Sequence, residues 1–140
     1  MPMERTMNVL KRETQPLKNS SDVVLARQKV RQWAIELRFS LVDQTKLVTA
    51  ASELARNTLQ YGRGGTVRLE IALDGIKRGI RLTFEDQGPG IADIAQAMRD
   101  GFTTGGGLGL GLSGSKRLCH DFSITSTPGV GTRVVIARWK

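Results

Sequence analysis

Glu53 and Asn57 stand four residues apart in a stretch with helical periodicity, so both side chains share one face about one turn apart. A carboxylate so placed can take a proton from an attacking hydroxyl. An amide oxygen is a neutral, hard ligand suited to Mg²⁺, which keeps several waters and bridges substrate phosphates. Taken alone, the pair reads more readily as a polar helix face held by a local side-chain contact. Downstream, Asp86-Gln-Gly-Pro-Gly90 joins a directional carboxylate to Gly88 and Gly90, and a glycine run occupies Gly105, Gly106, Gly107, Leu108, Gly109, Leu110 and Gly111. Glycine lets a backbone approach phosphate closely, and a run that opens a helix offers N–H groups and the positive end of the dipole to an anion. Each glycine segment alone reads as readily as a turn or hinge. Flanking a short helical pattern, with Glu53 and Asn57 upstream, they point together to a nucleotide pocket.

Several other chemistries are excluded. The glycine run is not a P-loop, because no Lys-Ser/Thr pair closes it, and it is not a dinucleotide fingerprint, because no strand leads directly into it. Thr103 and Thr104 either meet phosphate oxygens or cap the turn. His120 is the sole histidine, which leaves a histidine-based metal cluster or a Ser-His-Asp triad little to draw on; it reads as an exposed or helix-end residue. Cys119 is the sole cysteine and has no internal disulfide partner, and its helical context favours a small buried side chain over a nucleophile.

The net charge of +8 would favour a polyanion, yet the basic residues are scattered and aromatics are only 5% of the chain, so no nucleic-acid groove or stacking platform is visible. An acidic protein partner or a nucleotide triphosphate accounts for the same charge. No apolar run approaches bilayer length and Met1 to Met7 lacks the apolar core of a signal peptide, so a cytoplasmic protein without membrane attachment is expected. At 140 residues there is room for one domain with a real core.

The elements that must position these residues follow from periodicity. Residues 1–19 are polar and suggest a ragged start with one short strand, Pro16 confining it to a sheet edge. A helix is predicted from Ser21, capped by Ser20 or Ser21, with Val23, Ala26, Val30, Trp33 and Leu37 inward and Arg27, Lys29, Arg31 and Arg38 outward. A second is predicted from Asp43, its cap, to Gln60, with Leu47, Val48, Ala51, Leu54, Ala55 and Leu59 as its apolar stripe and Gly62 as its stop. Val67 to Leu73 and Ile80 to Phe84 alternate around an Asp74-Gly75 turn, an antiparallel hairpin that places Asp86 at a strand end. Ile91 to Asp100 has helical spacing and stops at Gly101; Phe102 then leads into the glycine run, and a further helix starts near Leu112 or Ser113 and ends near His120. A last hairpin turns at Pro128-Gly-Val-Gly131.

In that order, Glu53 to Asn57, Asp86 to Gly90, Gly105 to Gly111 and Gly131-Thr132 resemble the N-box, two glycine boxes and closing Gly-Thr of the GHKL (Bergerat-fold) ATPase superfamily. Ser21-Asp-Val-Val-Leu-Ala-Arg-Gln28, Ser52 to Asn57 and Gly105 to Lys116 are similar to RsbT-type serine/threonine kinases, relatives of the anti-sigma factor kinases, over residues 20–140. The resemblance implies an α/β two-layer sandwich, a mixed, mostly antiparallel sheet with helices on one face, holding ATP beneath a lid. Asp86 would accept a hydrogen bond from the adenine amino group, Gly88 and Gly90 would leave room for the base, and Thr132 would support that contact. Asn57 would coordinate Mg²⁺, Thr104 and the 105–111 loop would wrap the phosphates, and Glu53 would activate a substrate serine.

Two departures narrow the expectation. Sensor histidine kinases of the superfamily commonly carry a basic or histidine residue where Tyr61 stands, and no phosphoacceptor-histidine helix pair precedes; the gyrase-like members need a transducer domain beyond Lys140. What remains is a bacterial serine kinase acting on STAS-domain proteins in stress signalling, and in RsbT-like proteins the freed kinase also activates a PP2C-type phosphatase. Two alternatives stand beside it: an anti-sigma factor kinase that sequesters a sigma factor, and a binding module in which ATP only sets the lid.

Overall fold

Period-two alternation in the chain lays down strands that pair into one sheet, and period-3.6 stripes lay two long helices across one of its faces. The structure is a computed structural model that describes residues 7–99 and 111–140. The order of elements is β1 (Asn8–Leu17), α1 (Ser20–Glu36), α2 (Leu41–Gln60), β2 (Gly65–Asp74), β3 (Lys77–Asp86), α3 (Ile94–Ala97), α4 (Gly111–Arg117), β4 (Asp121–Thr127) and β5 (Gly131–Trp139). The five strands form one sheet in the order β1-β2-β3-β5-β4, and every described pairing is antiparallel. With α1 and α2 covering one face, this is the two-layer α/β sandwich the sequence implied.

The core lies between the helices and that face. Val30 and Trp33 of α1 and Leu47 and Leu54 of α2 meet Leu69, Ile80, Leu82 and Ile136 of the sheet, all at most 2% exposed. Each such side chain contributes about 1.5–3 kcal/mol by leaving water. The opposite face holds a buried charge. Glu70 is fully buried, accepts from Arg12 Nε at 2.9 Å and from Arg81 Nε at 2.8 Å, and lies 3.8 Å from Arg68. Burial pushes the Glu70 carboxyl up, but the hydrogen bonds of Arg81 and Arg12 and the charges of Arg81 and Arg68 outweigh it and hold the group below the ordinary value.

Four expectations about the elements need correction. The N-cap of α1 is Asn19, whose side chain accepts from Asp22 N–H at 2.9 Å; Ser20 and Ser21 are already helical. The cap of α2 is Ser40, whose Oγ accepts from Asp43 N–H at 3.1 Å, so the helix begins before Asp43 and that carboxylate is released for another partner. The helix expected from Ile91 to Asp100 is confined to Ile94–Ala97, because Ile91 N–H is donated to Ser126 Oγ at 2.7 Å and Asp93 caps the turn at Gln96 N–H. Finally, α4 starts at Gly111 and stops at Arg117, short of His120. The N-terminal strand does sit at the sheet edge with Pro16 in it, but runs for 10 residues. Asp100, Gly101, Phe102, Thr103, Thr104 and the glycine run from Gly105 to Leu110 lie outside the described residues. Among the described residues no helix is long and apolar enough to cross a membrane.

Candidate functional site

The C-terminal half of α2 carries one helical stripe, Glu53, Arg56, Asn57, Gln60 and Tyr61, that does not enter the core and instead forms a wall of a cavity of about 480 Å³. A volume of that order suits a small-molecule ligand. The floor is apolar, from Leu54, Phe84, Leu112 and Val134. Around it stand Glu53, Asn57 and Asp86, singled out by type and spacing, and Thr132, named through the resemblance, together with Gly90 and Gly111. The arrangement brings together residues from α2, the end of β3 and the start of β5, which antiparallel pairing sets side by side, Asp86 lying opposite Thr132.

Asp86 is fixed by its surroundings. Its Oδ1 accepts from Gly88 N–H at 2.9 Å, whereas Oδ2 makes no hydrogen bond to a described residue. Gly62, expected only to stop α2, lies directly beneath this carboxylate: a Cβ there would overlap the Asp86 side chain. The helix ends at Gln60, as expected, with Tyr61 as its C-cap and Gly62 just beyond it. Gly88 packs on Gly62 in turn, where a Cβ would come within 2.8 Å of the Gly62 backbone, so it stands behind Asp86 and is not part of the cavity wall. Gly90 lines the cavity with φ of +78° and faces Thr127 O. Thr132 Oγ1 shares a hydrogen bond of 2.8 Å with Ser126 Oγ, which also receives Ile91 N–H.

Glu53 Oε1 accepts from Arg56 Nη1 at 3.2 Å, and the Glu53 side chain is 12% exposed. The Asn57 side chain makes no hydrogen bond to a described residue, while its backbone carbonyl accepts from Tyr61 and Gly62 N–H. Among the described residues no group of three or more His, Cys, Asp or Glu could hold a metal ion. Of the described cavity residues Asn57 offers a neutral, hard amide oxygen, a donor that fits Mg²⁺ better than Zn²⁺. An apolar floor, an open carboxylate oxygen and an unpaired amide on one cavity are features that an adenine nucleotide can use.

Sequence reasoning passed over Arg56, Gln60, Tyr61 and Ser126. The first three share the helical stripe of Glu53 and Asn57, and extending that periodicity would have found them. Ser126 had no such signal, because its role depends on strand pairing. Outside the cavity, Cys119 is partly buried, and burial, offset by the charge of Arg138 and aided by that of Asp121, pushes its thiol up to about 12, so it carries no thiolate at neutral pH. His120 is exposed, and its Nδ1 accepts from Trp139 N–H at 2.9 Å.

Known proteins resemble this chain in sequence and fold. Residues 42–140 match the family model described as histidine kinase-, DNA gyrase B-, and HSP90-like ATPase. The chain is 49% identical over 118 residues to the serine/threonine-protein kinase RsbT of Bacillus subtilis (strain 168), covering 84% of this chain and 89% of that protein. It is 29% identical over 128 residues to the anti-sigma F factor of Thermoanaerobacter sp. (strain X514), covering 88% and 89%. A crystal structure of the RsbU and RsbW domains of a Mycobacterium tuberculosis protein matches with a TM-score of 0.64 at 18% identity, over 93% of this chain and 33% of that one.

Proposed function

Because the chain belongs to the histidine kinase-, DNA gyrase B- and HSP90-like ATPase family, we propose that its cavity binds ATP with Mg²⁺ and that Glu53 directs the terminal phosphoryl group onto a serine of a STAS-domain protein. The protein is a serine/threonine-protein kinase of a partner-switching system. The observation that carries the reading of the site is the convergence of Glu53, Asn57, Asp86 and Thr132 on one cavity.

Asp86 accepts the adenine amino group through the oxygen that Gly88 leaves open, and Thr132 supports that contact through water. Leu54, Phe84 and Val134 shield the base. Asn57 offers its amide oxygen to Mg²⁺, which supplies charge neutralisation to the phosphates when bound. Contact with the phosphates is the role the resemblance implies for Thr104 and the 105–111 run, of which residues 104–110 lie outside the described residues. Glu53 takes the proton of the substrate serine as its oxygen bonds to the γ-phosphorus; the bond to the bridging oxygen breaks, and ADP leaves with that electron pair. Since phosphoryl transfer depends chiefly on positioning and charge, this set of residues is sufficient. The setting is the cytoplasm.

The 29% identity to an anti-sigma F factor supports a second reading of the partners, sequestration of a sigma factor in place of activation of a PP2C-type phosphatase. Pull-down with each candidate separates the two. For the chemistry, Glu53→Ala is tested with labelled ATP and a STAS-domain protein. Transfer should fall by about 10²-fold or more with nucleotide binding retained; transfer at the wild-type rate would remove Glu53 from the mechanism.

A further inference from the structure

Among the described residues that line the cavity, Glu53, Asp86 and Asp93 are acidic and Arg56 alone is cationic. Three carboxylates form a poor environment for a triphosphate, and beside a bound Mg²⁺ the Arg56 guanidinium is the cationic group among the described lining residues that can offset them. Arg56 is 43% exposed and spends one Nη1 donor on one oxygen of Glu53, so most of its planar fork is uncommitted. It stands three residues after Glu53 and directly before Asn57 on α2, between the proposed base and the proposed metal ligand.

We infer that Arg56 is a positioning residue shared between Glu53 and the terminal phosphate, so that arrival of ATP, and not of ADP, draws the guanidinium off the base. With the γ-phosphate absent, Arg56 holds the Glu53 carboxylate by a charge-assisted hydrogen bond and occupies the oxygen that would accept a serine proton. A γ-phosphate offers the fork a bidentate partner of higher charge. The guanidinium turns to it, and Glu53 Oε1 becomes available to the hydroxyl. The device makes the base competent only when there is a phosphoryl group to transfer, and it gives the site a means of telling ATP from ADP. It rests on the reading of the cavity as an ATP site with Glu53 as base.

The test compares Arg56→Gln, Arg56→Lys, Glu53→Gln and the Glu53→Gln/Arg56→Gln double variant with the wild type, using calorimetry with ATP and with ADP, each with Mg²⁺. The expected result for Arg56→Gln is a fall of about tenfold in the ratio of ATP to ADP affinity, with ADP affinity nearly unchanged, the loss of one charge-assisted hydrogen bond pair. Arg56→Lys should recover part of the ratio, since the charge returns without the fork. Glu53→Gln should raise the ratio both by releasing Arg56 and by removing a like charge near the phosphate; the first part must vanish in the double variant, leaving a smaller gain.

A merely structural role for Arg56 would lower ATP and ADP affinity together, and that result overturns the proposal. So does a gain on Glu53→Gln that is the same with and without Arg56. Wild-type protein that takes up neither nucleotide would defeat the ATP-site reading itself, and wild-type phosphotransfer by Glu53→Gln would defeat the base assignment. Each of these differs from the signature of a failed Arg56 role, in which the wild type binds both nucleotides and the ratio ignores Arg56.

Discussion

Near its N-terminal end α2 presents Asp43 to a closed set of partners, whereas near its C-terminal end it presents Glu53 and Asn57 to an open cavity. Asp43 Oδ1 accepts from Arg138 Nη2 at 2.6 Å, and the other arm of that guanidinium donates to Leu118 O at 2.8 Å, so one ion pair joins α2, β5 and the segment after α4. Arg138 is 9% exposed despite its charge. The Arg138 hydrogen bond, opposed by burial and helped by Ser40, holds the Asp43 carboxyl below its ordinary value. At the other end Asp86 keeps one oxygen, and Asn57 its whole amide, without a described partner. The same helix thus carries a carboxylate tied into the fold at one end and polar groups left open toward the cavity at the other. Under the proposed function the tied group serves stability and the open groups serve binding, and each end should answer to a different measurement.

The largest effect belongs to the open end. Asp86→Ala removes the carboxylate proposed to meet the base while leaving the core intact, and nucleotide affinity measured by calorimetry should fall by about 10²-fold or more, the cost of an unpaired buried donor on the ligand together with the lost bond. The melting temperature should barely move. A large loss of stability in Asp86→Ala would mean that this carboxylate is part of the framework, and the contrast between the ends would fail.

At the closed end Arg138→Ala strands Asp43 and the Leu118 carbonyl. Asp43 is 37% exposed, so the loss is smaller than for a fully buried pair, about 2–3 kcal/mol in urea unfolding. ATP affinity should stay within about twofold of wild type, since additivity holds for sites that share no partner.

Acid sharpens the same division. Asp43 and Glu70 both have carboxyls held below their ordinary values, so the stability they contribute is fully present above their unfolded values, near pH 4. It is lost as pH falls further, through the lowered folded values. Urea midpoints should therefore be flat from neutrality to about pH 5 and drop steeply below pH 4. Glu70→Gln should flatten part of that drop while lowering the midpoint at neutral pH, because Arg12, Arg68 and Arg81 then face no charge.

Legibility in the sequence divides along a related line. Helical and strand periodicity placed Leu47, Leu54, Leu69 and Leu82 in the core and Asp86 at a strand end, because each depends on neighbours within a turn or along a strand. Glu53 and Asn57 were readable as a pair for the same reason. The closed end was not. Arg138 alternates with Ile136 toward the core and finds Asp43 far away in the chain, so nothing local marks it as buried. Glu70 is a glutamate inside an apolar strand whose partners Arg12 and Arg81 come from two other strands. The caps failed by small offsets: three candidate oxygens at Asn19, Ser20 and Ser21 compete, and only backbone geometry decides, Asn19 being extended at φ of −155°. The helix after Gly90 was overread because its spacing hid the tie from Ile91 to Ser126 on another strand.

The smallest expected effect tests whether the two ends of α2 are independent. Ser40 Oγ caps the helix at Asp43 N–H and also helps to keep the Asp43 carboxyl ionised, so Ser40→Ala removes one cap and weakens one ion pair without altering any residue of the cavity. Loss of a cap costs about 1 kcal/mol, which for a domain of this size lowers the melting temperature by a few degrees. The helix has four further turns of buried stripe between that cap and Asn57, with Leu47, Ala51 and Leu54 pinned against the sheet, so fraying at Ser40 should not travel to the cavity. Nucleotide affinity and phosphotransfer at 25 °C should match wild type. A fall in transfer with unchanged ATP affinity would show that the N-terminal turn of α2 controls how Glu53 is presented, and the closed end would then be part of the catalytic apparatus.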